Sequence, residues 1–125
     1  MAKILAADDE LSIVRLIQVT LKREGHEVLT AEDGRAVLEI ATSEHLDLII
    51  LDVMMPHIDG FEALRLLKER EETRSIPVIF LSAKRHDLDL LQGLQSGAAS
   101  YLTKPFNPKE LIAVVARILE KREGA

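Results

Sequence analysis

Four apolar runs in the sequence are each followed by a residue that could take part in chemistry. These residues are carboxylates, a hydroxyl and an ammonium group: Asp8, Asp9, Asp52, Ser82 and Lys104. If the runs are parallel strands, these side chains meet beyond the carboxyl ends of the strands, at the edge where open α/β sheets bind ligands. The spacing therefore predicts one site built from residues that are far apart in the chain.

The residue types at this edge indicate phosphoryl chemistry assisted by a metal. Carboxylates that lie close together repel and raise one another's pKa unless a cation neutralises them. Because the candidate ligands are oxygens, with neither Cys nor His nearby in the sequence, Mg²⁺ is favoured over zinc or copper. A carboxylate can also be a nucleophile that forms an aspartyl phosphate. A metal on one side and Lys104 on the other would be sufficient for transfer, with Ser82 donating to a phosphoryl oxygen.

The elements that must position these residues are visible as an alternation of apolar patterns. Five runs of β type alternate with five segments of helical periodicity, as in repeated βα units with right-handed crossovers. Three runs are continuously apolar, whereas residues 27–31 and 100–103 are more mixed, as at the edges of a sheet. We therefore predict an α/β, flavodoxin-like, doubly wound (βα)5 fold whose parallel five-stranded sheet has the order 2-1-3-4-5.

The helical segments carry apolar residues at helical spacing and turn residues at their ends. Gly25 would end the first helix, the second and third would follow Asp33-Gly34 and Asp59-Gly60, and Asn107-Pro108 would open the last. The predicted inward-facing residues are Leu11, Val14, Ile17, Leu21, Val37, Ile40, Ala41, Phe61, Leu64, Leu88, Leu91, Leu94, Leu111, Val114, Val115 and Ile118. We expect the charged end of the last helix, residues 120–123, to fray.

Length and composition limit the class of protein. With 125 residues, 47% of them hydrophobic, we expect one domain over residues 1–125, with a folded core of about residues 3–119 and a short charged tail. The lack of cysteine excludes a disulfide framework and suits a reducing cytoplasm. The net charge of −5 disfavours nonspecific nucleic-acid binding. With no signal-peptide pattern and no apolar stretch near ~20 residues, we expect a cytoplasmic protein without membrane contact.

The candidate residues lie in short motifs that resemble those of a known family. The motifs are Ala7-Asp8-Asp9-Glu10, Leu51-Asp52-Val53-Met54-Met55-Pro56 with Asp59-Gly60, Leu81-Ser82-Ala83-Lys84 and Tyr101-Leu102-Thr103-Lys104-Pro105-Phe106. Each motif alone is a weak signal, but together, in this order and each at a strand end, they form a specific combination. Over essentially its whole length the chain is similar to the receiver domain of two-component response regulators.

The resemblance implies a role for each site residue. Asp52 would be the phosphoacceptor, taking a phosphoryl group from a sensor histidine kinase, a histidine phosphotransfer protein or a small-molecule donor. Asp9, Asp52 and the backbone carbonyl of Met54 would bind one Mg²⁺ ion, which Mn²⁺ could replace, and Asp8 would act through a metal-bound water. Lys104 would pair with the phosphate.

The resemblance also implies a conformational switch. Ser82 is the hydroxyl expected to move toward the phosphate, and Tyr101 is the aromatic residue expected to turn inward as the hydroxyl leaves its space. The face made by the fourth helix, the fifth strand and the fifth helix would change and control binding of a downstream protein, without direct nucleic-acid contact by this chain. Such a protein assists its own phosphorylation and slow dephosphorylation but is not an enzyme. The Lys104-Pro105 bond is a candidate cis peptide, because X-Pro bonds tolerate cis at modest cost.

Other interpretations of these residues stay open at this point. Asp8 and Asp9 could serve as acids at a helix N-terminus, and Tyr101 could be a half-exposed packing residue. A receiver-like module that works without phosphorylation would have the same fold. An aspartyl-phosphate phosphatase would use the same nucleophile, but such enzymes commonly place a second Asp where this chain has Met54. The histidines lack metal-ligand spacing, and we interpret them all as surface residues: His26, His45, His57 and His86.

Overall fold

The computed structural model describes residues 1–82 and 97–124 and contains a central parallel sheet. Its strands are β1 (Lys3–Ala7), β2 (Glu27–Ala31), β3 (Leu48–Asp52), β4 (Val78–Ser82) and β5 (Ser100–Thr103). The strand order is β2-β1-β3-β4-β5, and every neighbouring pair is parallel. The predicted flavodoxin-like sheet is therefore confirmed.

Helices cover both faces of the sheet within the described ranges. They are α1 (Leu11–Arg23), α2 (Gly34–Ser43), α3 (Gly60–Glu69) and α4 (Pro108–Gly124), and α4 corresponds to the last predicted helix. The fourth predicted helix, with Leu88, Leu91 and Leu94, lies outside the described residues. In the part of the chain that the structure describes, no helix is long and apolar enough to cross a membrane.

The core lies in two layers, one on each face of the sheet. One layer packs residues such as Leu5, Ile49 and Phe80 against α2 and α3, and the other packs Ile4 and Ile50 against α1 and α4. Strands β3 and β4 are buried along their whole length, whereas β2 and β5 have exposed positions. Because strands covered on both faces need apolar residues in succession, the continuous runs lie at the centre of the sheet and the mixed runs at its edges.

Polar side chains and glycine define the helix ends much as predicted. The side-chain oxygens of Asp33, Asp59 and Asn107 each accept a backbone N–H from three residues further on at 2.9 Å, so they cap α2, α3 and α4. Gly25, just after α1, has a φ of 90°, a left-handed conformation that glycine adopts at little cost.

One prediction about the helices is wrong. Leu11, expected to face inward, is exposed because it is the first residue of α1 and lies at the rim of a small cavity beyond the sheet. Helix α4 extends through Gly124, and the fraying of residues 120–123 stays a prediction. Arg122 donates a hydrogen bond to the backbone carbonyl of Asp47, which joins the end of α4 to the residue just before β3.

The strand register brings the predicted site residues to one edge. Asp52 lies beside Leu81, and Ser82 lies beside Thr103. Lys104 follows directly, and its backbone N–H donates to the carbonyl of Ser82 at 2.7 Å. The carboxyl ends of the strands are therefore level with one another, so residues that follow different strands are neighbours in space.

Candidate functional site

Three carboxylates lie together beyond the ends of β1 and β3. Asp8 and Asp9 follow β1, and Asp52 is the last residue of β3. One carboxylate oxygen from each residue lies within 4.8 Å of the other two. Asp8 and Asp52 are buried and Asp9 is exposed, so the cluster is open to solvent on one side. The structure thus brings together the acids that the sequence analysis placed at this edge.

Lys104 is the cation of this site. Its Nζ atom lies 2.6 Å from Asp8 Oδ2, 3.4 Å from Asp52 Oδ2 and 3.4 Å from Glu10 Oε1. The lysine side chain is only 9% exposed, so its ammonium group is paired with carboxylates rather than surrounded by water. Burial lowers the pKa of Lys104, but the close contact with Asp8 and the charges of the three acids raise that pKa by more. Lys104 is therefore charged at neutral pH.

Asp52 has an unusual electrostatic environment. Burial, followed by the charge of Asp8, raises the pKa of the Asp52 carboxyl group to about 6. Lys104 acts in the opposite direction, as does the backbone N–H of Met54, which donates to Asp52 Oδ1 at 3.3 Å. Above this pKa the site therefore holds an ionised carboxylate that is more basic than an ordinary aspartate and lies beside a cation, a combination suited to a nucleophile.

The carboxylate cluster fits a hard cation. Asp8 Oδ2 is buried and accepts no well-aligned hydrogen bond from the described residues, although Lys104 Nζ lies 2.6 Å away. Asp8 Oδ1, in contrast, accepts the backbone N–H of Glu10 at 2.9 Å. A buried carboxylate oxygen without a well-aligned donor, next to two further carboxylates, suits an ion such as Mg²⁺ that prefers oxygen ligands.

The loop after β3 is fixed by a close backbone approach. The N–H of Gly60 donates to the carbonyl of Val53 at 2.8 Å. A Cβ atom at Gly60 would lie 2.5 Å from the carbonyl oxygen of Asp52, closer than real Cβ atoms come to other groups. Glycine therefore allows the start of α3 to pack directly under the candidate phosphoacceptor. The side chain of Met54 is exposed, whereas that of Met55 is buried.

Ser82 and Tyr101 lie at different depths on neighbouring strands. Ser82 is fully buried at the end of β4, and Tyr101 on β5 is 40% exposed. In the register Tyr101 lies beside Phe80, two residues before Ser82. The peptide bond between Lys104 and Pro105 is cis. Ser82 and Tyr101 thus lie on neighbouring strands, and the movement of their side chains stays a prediction.

One site contact could not be predicted from the sequence. Glu10 belongs to the first motif but has no predicted role there, yet its carboxylate pairs with Lys104, which is 94 positions away in the chain. A contact of this kind depends on how two loops meet and leaves no periodic pattern. The available signal was the residue type, because Glu is not among the residues that usually precede a helix.

The histidines are not all surface residues. His26, interpreted as one, is half-buried, and its Nδ1 accepts the backbone N–H of Ala2 at 3.1 Å. His45 and His57 are exposed, as expected. His86 lies outside the described residues.

Comparison with known proteins identifies the class that this fold and site define. The family described as response regulator receiver domain matches residues 4–116 of the chain. The chain therefore belongs to the receiver domains of two-component response regulators.

Individual proteins are similar over nearly the whole chain. The alkaline phosphatase synthesis transcriptional regulatory protein PhoP of Bacillus subtilis is 46% identical over 98% of this chain and 50% of its own length. The chemotaxis response regulator CheY4 of Vibrio cholerae has a TM-score of 0.88 and 37% identity, over 94% of this chain and 98% of that one.

A second similar structure contains a metal ion. The receiver domain of a sensor histidine kinase from Pseudomonas aeruginosa, with a magnesium ion coordinated in its active site cleft, has a TM-score of 0.87 and 30% identity, over 95% of this chain and 98% of that one. Among the curated relatives, the chain spans about half the length of the proteins it matches.

Proposed function

We propose that this chain is a phosphorylation-activated signalling switch in which Asp52 accepts the phosphoryl group. The observation that supports this most directly is the environment of Asp52, a buried carboxylate with a pKa raised to about 6 that lies 3.4 Å from Lys104 Nζ. The carboxylate is a nucleophile above that pH, and the ammonium group stabilises negative charge on the transferred oxygens. The donor is a sensor histidine kinase, a histidine phosphotransfer protein or a small phosphodonor.

The proposed step is a displacement at phosphorus. A carboxylate oxygen of Asp52 attacks the phosphorus atom, and the bond from phosphorus to the leaving group breaks. The leaving group, an imidazole nitrogen of phosphohistidine or the acetate of acetyl phosphate, departs with the electron pair. Lys104 then pairs with a phosphoryl oxygen, so its charge stays beside the negative charge that arrives. Asp52 is consumed and restored with each cycle, so the chain is a phosphoacceptor rather than an enzyme.

Four residues of this chain would hold Mg²⁺ or Mn²⁺. They are Asp9, Asp52 and the backbone carbonyl of Met54, with Asp8 acting through a bound water. The bound ion supplies positive charge that offsets the charge of the phosphoryl oxygens beside the carboxylates. The buried Oδ2 of Asp8, which lacks a well-aligned donor among the described residues, supports a cation at this place.

Intact-mass measurement after incubation with acetyl phosphate and Mg²⁺ tests the phosphoacceptor. We expect one labile phosphate, mapped to Asp52, and none in the presence of EDTA. Asp52→Asn should take no phosphate. The matched control is Asp59→Asn, which keeps a helix cap in the same loop and should take phosphate like the parent. A phosphate of equal extent on another residue of Asp52→Asn would contradict the assignment.

The single tyrosine provides a probe of the proposed switch, because the chain has one Tyr and no Trp. We expect Tyr101 to turn inward on phosphorylation, so its fluorescence should become less accessible to quenching by acrylamide. Ser82→Ala should still be phosphorylated but should show a smaller change in quenching. Equal quenching of the phosphorylated and unphosphorylated protein would argue against the inward movement of Tyr101.

The output of the switch is proposed to be binding of a downstream protein at the face that contains β5 and α4. The net charge of −5 disfavours contact with a nucleic-acid backbone. The absence of direct nucleic-acid contact stays a prediction for this chain, since the similar protein PhoP is named as a transcriptional regulator and is about twice as long. Titration of the phosphorylated chain with duplex DNA at physiological salt should show no binding.

A further inference from the structure

Glu10 is fixed in the site through its backbone, which leaves its carboxylate available for another contact. It is the N-cap residue of α1, but its side chain makes no capping hydrogen bond. Its carbonyl accepts the N–H groups of Ile13 and Val14, and its own N–H donates to Asp8 Oδ1. The carboxylate instead contacts Lys104, so a residue type that is poor for capping has a different use here.

Glu10 is the exposed member of the three acids around the ammonium group. Asp8 and Asp52 are buried, whereas the side chain of Glu10 is 60% exposed and lies 3.4 Å from Lys104 Nζ. An anion that approaches from solvent therefore meets the charge of Glu10 before it reaches Lys104. Repulsion by the Glu10 carboxylate therefore opposes the entry of an anion but does not alter the buried Asp8 and Asp52.

Carboxylates surround the ammonium group where a phosphoryl oxygen would have to bind. Three carboxylates lie within 3.4 Å of Lys104 Nζ, which donates a hydrogen bond to Glu10 Oε1. A phosphoryl oxygen that pairs with the ammonium group therefore competes with these carboxylates. Glu10 loses least by leaving, because water can hydrate its exposed carboxylate at once.

We propose that Glu10 is a positioning residue that holds Lys104 in the unphosphorylated protein and selects phosphodonors by charge. It opposes dianionic small donors and releases Lys104 once a phosphoryl group is in place. This inference rests on the proposed role of Asp52 as phosphoacceptor. Glu10 should therefore change the rate constant of Asp52 phosphorylation by an amount that depends on the charge of the phosphodonor.

The substitution Glu10→Gln removes the charge and keeps the size of the side chain. For acetyl phosphate, a dianion, we expect the second-order rate constant of Asp52 phosphorylation to rise about two- to tenfold at low salt. For phosphoramidate, a monoanion, the increase should be smaller. In about 1 M salt both increases should nearly vanish, because exposed charges are then screened. A purely structural role of Glu10 would produce neither the dependence on donor charge nor the dependence on salt.

Two further variants serve as controls. Glu32→Gln removes a charge beside the cavity lined by Asp8 and Asp9, but Glu32 is not an ion-pair partner of Lys104 among the described residues. Its rate constants should stay within about twofold of the parent. Glu10→Asp keeps the charge and should resemble the parent. Equal increases in Glu32→Gln and Glu10→Gln, equal increases for both donors, or a lower rate in Glu10→Gln would overturn the inference.

A binding measurement distinguishes failure of this inference from failure of the proposed function. Beryllofluoride with Mg²⁺ occupies a phosphoacceptor carboxylate without any transfer step, and its affinity can be measured by calorimetry. We expect tighter binding to Glu10→Gln than to the parent and none to Asp52→Asn. Tighter binding without phosphorylation of the parent would support the charge effect of Glu10 on anions at this site and reject the transfer to Asp52. Phosphorylation of Asp52 with unchanged rates and affinity in Glu10→Gln would reject the inference alone, and neither binding nor phosphorylation would reject both.

Discussion

The two ends of the parallel sheet use charge in opposite ways. At the carboxyl end, Asp8 and Asp52 are buried beside each other and share the ammonium group of Lys104. At the amino end, Lys3 is partly exposed, and its Nζ atom pairs with Glu44 at 2.8 Å. One end thus holds like charges away from water, whereas the other joins opposite charges in contact with water.

The difference shows where this fold gives up stability for function. Buried like charges raise each other's pKa and leave a repulsion that a bound cation can relieve. Exposed pairs of opposite charge add little each, because water and salt screen them. Substitutions at the carboxyl end should therefore raise or lower the stability by a large amount. Substitutions at the amino end should lower the stability only slightly.

The largest effect on stability is expected when glycine is replaced by alanine near each end of the sheet. Gly60→Ala places a Cβ atom 2.5 Å from the carbonyl oxygen of Asp52, so backbone must move, and we expect a loss of about 2–3 kcal/mol in the free energy of unfolding. Gly25→Ala meets nothing within 4 Å but keeps a φ of +90°, which costs about 1 kcal/mol. Urea denaturation with a common m-value measures both. Equal losses would show that the loop under Asp52 can adjust.

The next prediction concerns the buried carboxylate itself. The pKa of Asp52 is about 6 in the folded protein and near 3.8 in the unfolded chain. Between these values the folded protein holds more protons, so its free energy of unfolding falls as the pH rises, and the full cost is present at neutral pH. Asp52→Asn should therefore be more stable than the parent at pH 7, by about 1–2 kcal/mol after allowance for solvent screening.

Denaturation of both proteins from pH 4 to pH 7 measures this difference. The gain in stability should be small at pH 4 and complete above pH 6. Asp47→Asn is the matched control at the amino end, where the Asp47 carboxylate accepts the N–H of Lys3 at 2.8 Å. That variant should not gain stability at any pH. A gain in Asp47→Asn as large as in Asp52→Asn would remove the contrast between the two ends.

The parts of this structure that depend on the pattern of apolar and polar residues along the chain could be predicted from the sequence. Continuous apolar runs identified β3 and β4 as central strands, and the mixed run at residues 100–103 identified an edge. Once the strand order is known, the geometry of a parallel sheet places Asp8, Asp52 and Lys104 at one edge. The convergence of the site therefore follows from the fold and needs no knowledge of individual side-chain contacts.

The parts that depend on contacts between distant side chains could not be predicted. The ion pair of Glu10 and Lys104 and the hydrogen bond of Arg122 to Asp47 join separate elements. A helical stripe shows which side of α1 is apolar, but it does not show that Leu11 lies beyond the end of the sheet. Each of these outcomes depends on where one element stops relative to another.

A smaller effect is expected at His26, near the amino end of the sheet. Burial, and then the charge of the chain N-terminus, lower the pKa of His26 below 6.5. Its Nδ1 accepts the N–H of Ala2, which only the neutral ring can do. The stability that this hydrogen bond contributes is therefore complete above about pH 6.5. It is lost as the pH falls, because the unfolded chain then binds more protons than the folded protein. We expect this contribution to be small, because the ring is partly exposed and solvent screens its charge.

The variant His26→Asn separates the hydrogen bond from the titration. The side-chain oxygen of Asn can accept the same N–H but does not bind a proton in this pH range. The variant should lose less stability than the parent between pH 7 and pH 5 in thermal denaturation. Parallel curves for the two proteins would mean that protonation of His26 has no influence on folding.

The smallest effect is expected for Lys3, and it tests the comparison most directly. Lys3→Met removes the exposed pairs with Glu27 and Glu44, so its thermal midpoint should fall slightly at low salt and match the parent at physiological salt. Lys104→Met removes a cation from between two buried carboxylates, so its loss at neutral pH should persist in high salt. If both variants respond equally to salt, burial does not distinguish the two ends. If only Lys3→Met does, the depth of a charge, rather than the number of its partners, decides what it contributes to this fold.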